Sequence, residues 1–157
     1  MTTVMPELQK QEVRKDTPRT VCFVCTGNTC RSPMAAAVYN DLHAGENVRA
    51  VSCGIAAHEG DPIHPNAVAA LRAEGIPCTP SNNYEAHMAR MATPELLSGC
   101  DRIWCLSPSQ LRTLLFAMPE LAGKLALLGD IPDPFGGDVD LYRETLRRIR
   151  EALRDSE

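Results

Sequence analysis

Hydrophobic and polar positions change rhythm along the chain, and the changes separate strands from helices. TVCFVC, residues 20–25, is an unbroken β-branched and apolar run, which predicts a strand covered on both faces. Ser32-Pro33 offers an N-cap residue followed by proline at the first helical position, and MAAAVYNDLHA continues as a good helix former, so a helix is expected over residues 33–44. VRAVSC, residues 48–53, predicts a second strand, and HPNAVAALRAEGI a second helix closed by Gly75. After the irregular stretch PCTPSNNYEAHMARM come a short helix (TPELLSG), a third strand (DRIWCLS), a helix (SQLRTLLFAM) and a fourth strand (KLALLG). Over residues 138–155, Tyr142, Leu146, Ile149 and Leu153 recur on one side of a final amphipathic helix.

Strands alternating with helices at this spacing imply right-handed crossovers and an α/β fold, a three-layer sandwich of a four-stranded parallel sheet with helices on both faces. Residues 1–18 are polar and aperiodic and are expected to form a flexible extension, leaving one domain over residues 19–157. Ligands in such folds sit at the carboxyl ends of strands. The loops over residues 25–32 and 129–137 should therefore open on the same edge of the sheet.

Composition narrows the function. At 157 residues, 44% hydrophobic and 23% charged, the chain has the balance of one buried core. A net charge of −4 gives no general attraction for nucleic acid or an anionic membrane, so an anionic ligand needs a local device. No apolar run reaches the ~20 residues that span a bilayer, and the polar start does not read as a secretory signal, so a cytoplasmic location is expected. The seven cysteines lie in or beside apolar segments, a pattern that favours reduced thiols over a disulfide scaffold.

The local device is Cys25-Thr-Gly-Asn-Thr-Cys-Arg31-Ser32. A thiol ends a strand, an arginine stands six residues on, and a helix begins at once. Gly27 and the turn-tolerant Asn28 let backbone N–H groups converge on an anion, and the helix N-terminus adds its positive end. Thr26, Gly27, Asn28, Thr29, Cys30 and Ser32 are thus expected to form a phosphate-binding loop. The same potential favours the sulfur of Cys25 as an anion, its nucleophilic form. Arg31 supplies a planar fork matched to two phosphoryl oxygens, and Ser32, besides capping the helix, can donate to the sulfur when it leaves. The departing group needs a proton, and Asp133, held between prolines in GDIPDPFGG, is the candidate acid and, in a second step, base on water.

Plainer readings apply elsewhere. Cys22 and Cys25 are three apart in a strand and should face opposite ways, which argues against a chelating pair. Cys100 and Cys105 read as packing residues. His58, His64 and His87 read as polar supports in loops, since no metal-ligand spacing accompanies them, and no metal or organic cofactor is implied. A Walker loop is excluded by the missing GK[ST]. The arginines of the last helix, Arg143, Arg147, Arg148, Arg150 and Arg154, alternate with acids and read as a solvated face.

VCFVCTGNTCRSPMA followed by a distant DPFGG resembles the low-molecular-weight protein phosphatase family, which also includes some arsenate reductases. The resemblance implies Cys25 as nucleophile, Arg31 as phosphate binder and Asp133 as acid then base. It also implies a left-handed Asn28 pinned by a network with Ser52 and His87. Ser52-Cys53-Gly54 stands for the usual Ser-Ala-Gly, His87-Met-Ala-Arg90 matches H-x-A-R, and the stretch between Gly75 and His87 is several residues longer than the pattern. Thr29 replaces the branched aliphatic residue typical of tyrosine-directed members, and only Phe135 is aromatic where they place two tyrosines. Thr29 and Phe135 are therefore the candidate selectivity residues, and a phosphorylated protein, with phospho-arginine favoured and phosphotyrosine the alternative, is the implied partner of a monomer. Arsenate reduction would require relay cysteines late in the chain, and none follows Cys105. Cys30 stays open between packing under the loop and a reversible disulfide with Cys25.

Overall fold

A computed structural model describes residues 17–156; most of the expected N-terminal extension therefore lies outside the described residues. The elements run β1 (Arg19–Cys25), α1 (Arg31–Leu42), β2 (Val48–Gly54), α2 (Pro65–Ala73), a 3-10 turn (Tyr84–Ala86), α3 (Pro94–Ser98), β3 (Arg102–Cys105), α4 (Pro108–Ala117), a second 3-10 turn (Pro119–Leu121), β4 (Leu125–Leu127) and α5 (Val139–Ser156). The expected parallel sheet is present, in the order β2-β1-β3-β4. The chain goes from β1 outward to β2 and then back across to β3. That reversal opens a crevice at the carboxyl end of β1, the usual ligand position in such sheets.

The apolar run of β1 has no exposed face because two cores meet on it. Val21, Phe23 and Cys25 pack on one side with Met34 of α1, Leu71 of α2 and Tyr142, Leu146, Ile149 and Leu153 of α5. Cys22 and Val24 face the other side, with Cys53, Leu97, Cys100, Ile103, Cys105 and Leu114. The strand's period of two thus separates Cys22 from Cys25, as the sequence pattern required. Cys22 Sγ lies 3.6 Å from Cys53 Sγ. Cys100 and Cys105 are buried packing residues, and all seven cysteines are free thiols.

Two local expectations are corrected. The first helix starts at Arg31, not Pro33, with Cys30 rather than Ser32 at the cap position and no side chain capping it. Pro33 falls at the third helical position, where its missing N–H still costs no helical hydrogen bond. The arginines of α5 are not all in solvent, since Glu74 at the end of α2 accepts from Arg143 Nη2 at 3.1 Å and Arg147 Nε at 2.9 Å. Burial alone would raise the Glu74 carboxyl, but these two guanidinium bonds hold it below the usual carboxylate range. Arg150 adds a bond to the Glu74 carbonyl, so α5 is fastened to α2 at its outer edge.

The extra residues before His87 are folded down. Asn82 Nδ2 donates to the Ala37 carbonyl at 2.9 Å and Tyr84 Oη to the Ile76 carbonyl at 2.6 Å, both buried.

β2 ends against the loop that leaves β1. Ile55 N–H donates to the Cys25 carbonyl at 3.0 Å and Ala56 N–H to the Thr26 carbonyl at 2.9 Å. A Cβ on Gly54 would stand 2.4 Å from the Thr26 carbonyl oxygen and 3.0 Å from Asn28 N, both backbone atoms with nowhere to go. Gly54→Ala should therefore cost about 1–3 kcal/mol of stability, the range for overpacking. A urea unfolding curve unchanged in midpoint would contradict this close approach.

Candidate active site

The end of β1 carries Cys25 to the floor of a cleft of about 330 Å³ lined by residues 25–31 with His58, Asp61, Asp133 and Phe135. The cysteine is 2% exposed, so its sulfur is reached only through that opening. Asn28 N–H donates to the sulfur at 3.3 Å, and Ser32 Oγ lies 2.9 Å from it. Ser32 Oγ already accepts from Asn28 Nδ2 at 2.8 Å, which leaves its single proton for Cys25 or for the more distant Cys53 carbonyl at 3.4 Å. The shorter contact assigns that proton to the sulfur. This is also why Ser32 does not cap the helix.

The loop's shape rests on Asn28, which is fully buried at φ 58°, the left-handed region. Its amide is completely used: Nδ2 also donates to Ser52 Oγ at 2.9 Å and Oδ1 accepts from Arg90 N–H at 3.0 Å. Its carbonyl takes the ring Nε2 of His87 at 2.7 Å. Ser52 and His87 thus stand where the family resemblance placed them. Gly27, by contrast, has no left-handed φ, and a Cβ there would meet only Thr29 Oγ1 at 3.8 Å. The conformational demand expected of Gly27 falls on Asn28, and the demand for close approach falls on Gly54.

Arg31 and Asp133 meet at the cleft. Arg31 Nη1 donates to the Ile131 carbonyl at 3.1 Å, and Nη2 lies 3.7 Å from Asp133 Oδ2. The guanidinium is almost wholly buried while the Asp133 side chain is half exposed. Asp133 Oδ1 accepts from Phe135 N–H at 3.1 Å, a local turn that fixes the loop, and Gly136 at φ 89° makes the bend that follows. The loops after β1 and β4 therefore do open on one edge of the sheet. Thr29 lines the cleft, and Phe135 stands 71% exposed beside it. Cys30 turns away to Tyr142, with Sγ 3.2 Å from the phenol oxygen, and burial pushes its thiol up. Among the described residues no group of three or more His, Cys, Asp or Glu could hold a metal ion, and no helix is long and apolar enough to cross a membrane.

Comparison with known proteins agrees with this geometry. The family described as low molecular weight phosphotyrosine protein phosphatase matches residues 20–156. The chain belongs to that family. A protein-arginine-phosphatase of Bacillus subtilis is 32% identical over 144 residues, covering 85% of this chain and 91% of that protein. A solved low molecular weight protein tyrosine phosphatase from T. tengcongensis is also 32% identical, with a TM-score of 0.78 over 88% of this chain and 99% of that one. A solved YwlE arginine phosphatase, a cysteine-to-serine mutant with a phosphorylated active-site serine, is 31% identical, with a TM-score of 0.76 over 87% of this chain and 92% of that one.

Sequence reasoning missed several residues of this low molecular weight phosphatase site. Gln110 of α4, 1% exposed, donates to Thr26 Oγ1 at 3.2 Å and braces the loop from the other face of the sheet. Asn66 Nδ2 donates to the Gly137 carbonyl at 3.1 Å and ties down the loop that carries Asp133. Asp61 lines the cleft from the loop after β2, beside His58, which the sequence read only as a polar support. None of these carries a local motif; each reaches the site through tertiary packing.

Burial lowers the pKa of His87 below the ordinary histidine value, outweighing the bond to Asn28. An unfolded chain therefore takes up a proton near pH ~6.5 that the folded protein refuses. The stability from neutral His87 is complete above that pH and is lost as pH falls toward the folded value. His87→Asn should flatten the stability–pH curve below about pH 6.5, and an unaltered slope in denaturant melts on that acid side would contradict the assignment.

Proposed function

We propose that this member of the family is a cysteine-dependent protein phosphatase acting through a phospho-cysteine on Cys25, with protein phospho-arginine as the favoured substrate. The reading is carried by one convergence: a sulfur at the base of the cleft with the Asn28 amide 3.3 Å away, and an Arg31–Asp133 pair 3.7 Å apart at the same opening. The Cys25 thiolate attacks phosphorus, the S–P bond forms and the P–N bond to the guanidine breaks. Loop amides and the Arg31 fork receive the charge on the equatorial oxygens. Asp133 gives its proton to the departing nitrogen. Water then attacks phosphorus, Asp133 takes a proton from it, and the sulfur leaves as thiolate with Ser32 Oγ donating to it. The solved YwlE protein with a phosphorylated active-site serine is a precedent for a phosphoryl group on the nucleophile of a similar fold.

The arginine preference rests on the cleft's walls. Thr29 offers a hydroxyl to a polar guanidinium where a phenyl ring would gain more from an aliphatic side chain, and Phe135 is followed by two glycines and no tyrosine. Phosphotyrosine is the second reading, supported by equal identity, 32%, to an arginine-directed and a tyrosine-directed relative and by an exposed ring in Phe135.

Turnover of a phospho-arginine protein and a phosphotyrosine peptide, with and without Thr29→Ile, separates the two. The wild type should favour phospho-arginine, and the substitution should move the balance toward phosphotyrosine. A wild type that prefers phosphotyrosine and ignores the change overturns the arginine assignment. Cys25→Ser should abolish turnover, and Asp133→Ala should lower kcat by roughly 10²–10⁴, the usual worth of a positioned acid–base group. An Asp133→Ala protein as fast as wild type on phospho-arginine would remove Asp133 from the chemistry.

A further inference from the structure

His64 stands at the corner where β2's outgoing loop enters α2, and nothing in the chemistry above uses it. Its Nδ1 accepts from Asn66 N–H at 3.0 Å as the N-cap of α2, which leaves a neutral ring with its proton on Nε2. Its own N–H donates to the Thr29 carbonyl at 2.9 Å. One face of the ring is stacked on Tyr142, with centroids 5.0 Å apart and planes 24° from parallel. Phe135 meets it edge to face, at 6.0 Å and 82°. Tyr142 is itself anchored: it is fully buried in the core and its phenol meets Cys30 Sγ. Thr29 and Phe135, the two residues that distinguish substrates in the reading above, are thus attached to one histidine.

We infer that His64 is a positioning residue for substrate selection. Its backbone N–H holds Thr29 in the cleft wall while its ring, stacked on Tyr142, holds the Phe135 ring beside the opening. The loop backbone is fixed on either side of Phe135 by the Asp133 turn and by the Gly137 bonds to Pro134 and Asn66, while the aromatic contact sets the direction of the exposed Phe135 ring. The effect belongs in KM and substrate preference, because Cys25 is held by Asn28 and Ser32, Arg31 by the Ile131 carbonyl, and Asp133 by Arg31 and the backbone N–H of Phe135, whereas on that loop His64 meets only the Phe135 ring. This inference rests on the phosphatase reading but not on which phosphorylated side chain is preferred.

Two substitutions separate the ring from the cap. His64→Asn keeps a side-chain acceptor for the Asn66 amide and removes the ring; His64→Phe keeps a ring and removes the acceptor. For His64→Asn, KM for a phospho-arginine protein and for p-nitrophenyl phosphate should rise about five- to tenfold, the scale of one aromatic contact, with kcat within about twofold and Tm near wild type. For His64→Phe, KM should stay near wild type while Tm falls. The inhibition constant of inorganic phosphate, which fills the loop without reaching Phe135, should be unchanged in both. A His64→Asn protein with wild-type KM on both substrates overturns the inference, as does an equal rise in KM for His64→Phe or a weakened phosphate constant. A wild type active on p-nitrophenyl phosphate but not on phospho-arginine would fail the substrate assignment alone, with His64 still judged on the aryl substrate. Turnover of neither overturns both.

Discussion

Asn28 is forced into a backbone region that a side chain ordinarily avoids, and the rest of the site is arranged around keeping it there. Its amide and carbonyl engage Ser32, Ser52, Arg90 and His87, which come from the first helix, the second strand and the segment before α3. In return its N–H is aimed at the sulfur of Cys25. An asparagine suits the place because its short polar side chain tolerates the left-handed region and can satisfy every one of its own hydrogen-bonding groups when buried. The positive cup is therefore made before any phosphoryl group arrives, and binding need not spend free energy on shaping it.

Support for that loop comes from both layers of the sandwich. Ser52 and Gly54 press on it from the neighbouring strand, Gln110 reaches it from α4 on one face, and the His64–Asn66 corner and Tyr142 approach from the other. The loop of Asp133, the proposed acid, is handled differently: two prolines, a local turn closed by Asp133 itself and a few tethers hold it, and its carboxylate remains half in water. The sulfur and guanidinium are dry while the acid is wet. That division matches the tasks proposed for them, charge stabilisation in the first case and exchange of protons with solvent in the second.

Much of this was legible in the sequence, because the informative features are local. The apolar run of β1, the six-residue interval from Cys25 to Arg31 and the proline-flanked Asp133 each announce themselves in a few consecutive residues, and the alternation of elements fixes which loops share an edge. The misreadings also have a common origin. Ser32 looked like a cap because Ser-Pro commonly starts a helix, but the Cys25 sulfur and the Asn28 amide claim its hydroxyl. Gly27 looked like the flexible point of the loop, yet the tight approach is at Gly54, 27 residues further on, and is visible only once β2 lies beside β1. Arg143 and Arg147 looked solvated because their neighbours in sequence are acids, whereas the acid they grip is Glu74. Gln110 had no motif to betray it at all, and His64, read only as a polar support, carried no sign of its aromatic neighbours.

Cys25, the proposed nucleophile, is mounted on a strand with no face to spare. Val21, Phe23 and Cys25 belong to one core, Cys22 and Val24 to the other, and β2 and β3 close both edges. Such a strand cannot be retuned independently of folding: a substitution that improves packing in either layer also displaces the sulfur, and one that alters reactivity near its end is registered by both layers. Freedom for sequence drift must therefore lie elsewhere, on the outward sides of the peripheral helices and along the rim loops, which is where divergence among relatives can alter the choice of substrate without disturbing the reacting centre.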